Sequence, residues 1–187
     1  NLGTGAYAFI PLPFLDDWLI KRQRRKMAQA VLESRGISYD RKAPRLIVEE
    51  DRPLFARLGS LMKGLVMKPL KKLFRTVLIW LTAKNAARTV MVSYFLARFL
   101  HHPALLPADA GRHLSEERAR FLSTVFHEVS EDIDVRAAKD ALQQLIKLFA
   151  RSNKRSTQEI GETIEKAAPN FIAEFDALVS ERLGSAS

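Results

Sequence analysis

Apolar residues recur at every third or fourth position along most of the chain, and no stretch keeps the strict alternation of a half-buried strand. The pattern predicts an all-α fold. Residues 1–187 are expected to form a single domain, a compact helical bundle of about six helices, with an extended lead-in over 1–14 and a frayed tail at 184–187. Pro11 and Pro13 disfavour helix in the residues before them, so the first helix is placed at 16–35. Asp16 and Asp17 can accept from its unpaired first-turn N–H groups, Gly36 suits a left-handed C-cap, and Leu15, Trp18, Leu19, Met27, Ala30 and Val31 give its apolar face.

Further along, a short helix is predicted over 44–50 and an amphipathic one over 52–67, which Pro69 ends or kinks. From 70 to 100 the polar face nearly vanishes, so this segment is expected to be the central helix of the bundle or to be immersed in lipid. It does not suit a transmembrane span, because Lys84 and Arg88 divide its longest uncharged runs. Ser115 is placed to cap a helix over about 115–130, with Glu116 and Glu117 at the positive end of its dipole. Asp132 or Asp134 caps the next helix, a polar turn over 151–156 precedes a helix at 157–168, and Pro169 opens the last one.

Charge changes this picture because it is unevenly distributed. Residues 52–108 contain ten Lys/Arg and no Asp or Glu, whereas residues 109–187 contain eleven Lys/Arg and fourteen acids. A segment that is both basic and apolar must meet an acidic partner, bury its charges beside acceptors, or lie on an anionic surface. Lys68, Lys71, Lys72 and Arg75 recur at three- and four-residue spacings between Leu70, Leu73, Phe74 and Val77, a pattern suited to a lipid headgroup boundary. Lys21, Arg22, Arg24, Arg25 and Lys26 form a second basic cluster, too dense for one helical stripe because six residues span more than a turn. Trp18 and Trp80 are candidate interfacial anchors.

The pattern therefore favours a non-enzymatic, peripheral membrane-binding or lipid-handling protein of the cytoplasmic side, contacting anionic lipid. The alternative is a nucleic-acid-binding helical protein using the 21–26 cluster, and a protein partner is the further option. Candidate chemistry is sparse. The absence of cysteine excludes disulfides, thiolate nucleophiles and Cys-ligated zinc. The uncharged first fifteen residues lack the basic n-region and cleavage site of a signal peptide. No catalytic residue, metal site or cofactor is assigned. Asp16, Asp17, His127 and Glu131 are the only polar group worth testing for catalysis, and capping and a solvated helix face account for them more simply. His101 and His102 are expected to cap a helix C-terminus as imidazolium.

Overall fold

Gly36 ends the first helix as its position in the sequence predicts. In the computed structural model, α1 spans Asp16–Ser34, and Gly36 adopts φ 67°. Its N–H donates to the Glu33 carbonyl at 2.9 Å, and the Ile37 N–H donates back to the Leu32 carbonyl at 2.9 Å. This is a Schellman cap, with Leu32 and Ile37 both buried beside it. The structure describes residues 16–49, 54, 56–58, 60, 74–105, 113–151 and 157–184; side chains at 16–19, 49, 74–81, 151 and 157 are outside that description.

A two-residue strand β1, Ser38–Tyr39, pairs in parallel with β2, His113–Leu114, placing Ser38 opposite His113. Two residues are too few to show alternation, so periodicity could not announce this bridge. α2 covers Ala43–Glu49. Residues 54, 56–58 and 60 are helical, and the rest of the helix expected at 52–67 lies outside the described residues.

The long helix α3 runs Phe74–His101. Most residues between Ala83 and Leu100 are buried, including Ala86, Ala87, Met91, Phe95 and Phe99 at 0% exposure. Over this stretch the nearly all-round apolar pattern is therefore that of a central bundle helix. No helix among the described residues is long and apolar enough to cross a membrane.

The Ser115 side chain accepts from the Arg118 N–H at the start of α4, Glu116–Asp132. Asp134 caps a 3-10 turn at Val135–Ala138 that leads into α5, Lys139–Arg151. α6, Thr157–Ala167, and α7, Pro169–Gly184, complete the order. The core contains an aromatic chain: Phe95 of α3 meets Phe171 and Phe175 of α7, each at 4.8 Å between ring centroids. Phe126 of α4 joins Phe99 at 5.2 Å and Phe175 at 6.4 Å. Each such ring pair adds about 0.5–1.5 kcal/mol beyond the area it buries.

Candidate functional site

The five cations of α1 divide between the interior and the surface. Lys21, Arg22 and Lys26 are exposed, Arg25 is half-buried, and Arg24 is buried at 3% exposure. Six consecutive helical positions wrap more than one turn, so at least one cation has to face the bundle. Arg24 takes that position: its Nε donates to Ser93 Oγ at 3.2 Å and its Nη2 to the Thr89 carbonyl at 3.5 Å. Ser93 in turn donates to Thr89, so one hydroxyl links the guanidinium to the α3 backbone. Arg24 is thereby removed from the surface cluster assigned to it on sequence grounds.

These contacts also fix the direction of α1 relative to α3. Arg24 lies against Thr89 and Ser93, while Arg35, just beyond α1, donates to the Leu100 carbonyl at 2.5 Å. Both helices advance in the same sense, with an offset of about 65–69 residues. Residues 21–26 are therefore level with the middle of α3, and the first turns of α3 extend past the start of α1. At a rise of about 1.5 Å per residue, Phe74 lies roughly 13 Å beyond the level of Asp16. Arg75 and the backbone of Trp80 belong to this projecting part, and Trp18 lies near the start of α1. The side chains of Arg75, Trp18 and Trp80, and all of Lys68, Lys71 and Lys72, lie outside what the structure describes.

Lys84 and Arg88 stand one turn apart on α3. Burial first, then the Arg88 guanidinium, hold the Lys84 ammonium below its usual pKa. A nearby anion would relieve the second cause. Elsewhere many cations are spent inside the fold. Arg35 binds the end of α3, Arg57 donates to the Ser130 carbonyl at 2.7 Å and also to the Glu131 carbonyl at the end of α4, and Arg98 holds Asp176 through two bonds of 2.7 and 2.5 Å. By contrast, Lys21, Arg25 and Lys26 have no carboxylate within ion-pair distance among the described residues, and the buried Arg25 Nε–H has no acceptor there.

His127 Nε2 is 3.5 Å from Glu131 Oε1 one turn away, and no group of three potential metal ligands occurs among the described residues. Asp16 and Asp17 begin α1, but their side chains are outside the description. His102 departs from the expected cationic cap. Its Nδ1 accepts from the Ala104 N–H, which requires that nitrogen to be unprotonated, and Arg35 supplies the cation at the end of α3 instead.

A Ser–His–Asp constellation, invisible in the sequence, forms across the β bridge. His113 Nδ1 is 2.9 Å from Ser38 Oγ, and its Nε2 is 3.2 Å from Asp40 Oδ1. Asp40 Oδ2 accepts from the Glu116 N–H at 2.9 Å, so this carboxylate fastens the start of α4 to the bridge. The three side chains are open to water, in contrast to the enclosed setting in which such a relay drives acyl transfer. A separate cleft of about 340 Å³ lies where the 3-10 turn at 135–138 meets the start of α7. Arg136, Lys139, Asp140, Pro169 and Asn170 line it, and Arg136 is already engaged by Asp134. The exposed cations of α1, together with the projecting first turns of α3, form the candidate functional surface. No protein-family model, curated protein or solved structure matches this chain.

Proposed function

We propose that this chain is a non-enzymatic helical protein that docks peripherally on an anionic membrane surface through the basic face of α1 and the basic segment of residues 68–75. The supporting observation is positional. The solvent-exposed Lys21, Arg22 and Lys26 stand on the N-terminal half of a helix that runs parallel to α3, level with the middle of α3, and the first turns of α3 form a projecting end beyond it. That end also carries the Arg75 position and follows the Lys68, Lys71 and Lys72 stretch in the chain. Trp18 and Trp80 fall within the same region and would anchor at the headgroup level.

Anionic lipid is favoured over nucleic acid by the residues between the cations. Leu70, Leu73, Phe74 and Val77 alternate with charge at helical spacing, which suits the acyl boundary better than a polar phosphate-tracking groove. Each cation near an anionic surface contributes about 1 kcal/mol. Replacing Lys21, Arg22 and Lys26 by Gln should therefore weaken partitioning by about 3 kcal/mol, or roughly 150-fold.

Co-sedimentation with phosphatidylcholine vesicles, with and without phosphatidylserine, at low and moderate salt tests the reading. Binding only to the anionic vesicles, reduced by salt and lost in the triple variant, is the expected result. A folded chain that ignores both vesicle types but binds RNA or DNA with a steep salt dependence would replace lipid with nucleic acid as the partner.

A further inference from the structure

At the other end of the α1–α3 pair, one histidine joins three elements. His102 follows the last turn of α3, and its Nδ1 accepts from the Ala104 N–H at 3.3 Å within the 3-10 turn Pro103–Leu105. Its Nε2 lies 3.3 Å from Ser180 Oγ on α7. The Ser180 hydroxyl already donates to the Asp176 carbonyl at 2.9 Å, so the proton on the shared contact belongs to His102. Both contacts together require the neutral Nε2–H tautomer.

The charged groups around the ring oppose a second proton. Arg35 donates to the carbonyls of Leu100 and His102, and Arg98 stands one turn before His102 on α3. Asp176 of α7 would favour the imidazolium, but Arg98 holds both of its carboxylate oxygens. His101 neighbours the ring in sequence and is exposed, and the described 3-10 turn adds no titratable group. Protonated Nδ1–H would face the Ala104 N–H donor, with two guanidiniums nearby.

We propose that His102 is a proton-operated clasp that holds the C-terminal turns of α7 against the 3-10 turn at neutral pH and releases them on acidification. Burial first, and then Arg98 and Arg35 against the opposing pull of Asp176, keep the imidazole pKa below its ordinary value. The sign follows from linkage. The unfolded or released state binds the proton more readily, so the clasp is fully closed above the ordinary histidine pKa of about 6.5 and weakens as pH falls below it.

Hydrogen exchange of the full chain, corrected for intrinsic rates, tests this at pH 7.5 and 5.5. Protection over 103–105 and 178–184 should fall by up to about tenfold, the ceiling for a released histidine titrating one unit above the lower pH. His102→Gln should abolish the pH dependence, whereas His113→Gln should retain it. Equal loss of protection in His102→Gln, or none in the unmodified chain, overturns the proposal. Should His102→Gln fail to fold, imidazole nitrogen NMR of the unmodified chain decides: the Nε2–H tautomer with a midpoint below about 6.5 supports the clasp, and an imidazolium or Nδ1–H form at neutral pH refutes it.

Discussion

Substituting Arg24 separates interior cations from docking cations. The side chain is 3% exposed and donates to both Ser93 and the Thr89 carbonyl. Arg24→Ala removes a packed stem and these bonds, and should cost about 2–4 kcal/mol. In a chain of this length 1 kcal/mol shifts Tm by about 2–4 °C, so a fall of about 4–16 °C is expected in a thermal melt followed by circular dichroism. Arg24→Met keeps most of the stem and removes the need to desolvate a guanidinium, so its effect should stay within about 1.5 kcal/mol. Because Arg24 faces α3, the Met variant should sediment with anionic vesicles as the parent does. This placement of Arg24 fails if Arg24→Ala melts within about 1 °C of the parent. It also fails if Arg24→Met loses vesicle binding as deeply as the Lys21, Arg22 and Lys26 triple variant.

Two glycines should respond in opposite directions to the same change. Gly36→Ala forces a Cβ into the left-handed cap at φ 67° and should cost about 1–2 kcal/mol, read as an earlier urea midpoint with unchanged slope. Gly161 lies inside α6, and a Cβ there would meet nothing within 4 Å, so Gly161→Ala should stabilise by about 0.5–1 kcal/mol. A destabilised Gly161→Ala would mean that α6 packs differently at that position.

Helix ends were the most legible part of the fold. Gly36, Ser115 and Pro169 each carry a local backbone requirement, and each occupies the cap or first-turn position it implies. The nearly all-round apolar pattern of 70–100 left a central helix and a lipid-immersed one open, and most residues from Ala83 to Leu100 are buried in the core. What a cation would do was much less legible. Arg24, Arg35, Arg57 and Arg98 read alike in one dimension, yet each binds an acceptor on a distant element. Spacing identifies the stripe a residue occupies but not which neighbour covers that stripe. The Ser38–His113–Asp40 relay was hidden for the same reason, its members being brought together by a bridge of two residues per strand.

The long reach of these ties bears on how the chain acquires its structure. Arg24 meets Ser93 across 69 residues, Arg35 meets Leu100 across 65, Arg57 meets Ser130 across 73, and Arg98 meets Asp176 across 78. Helical proteins usually fold fast because their contacts are local, whereas here large loops must close before the arginine bonds repay the entropy. During synthesis at about 5–20 residues per second, α1 would wait roughly 4–14 s for its acceptors on α3 to be made. The same arginines that lock the mature bundle thus leave α1 without its α3 acceptors, its cations still unengaged by that helix, while the ribosome is at work.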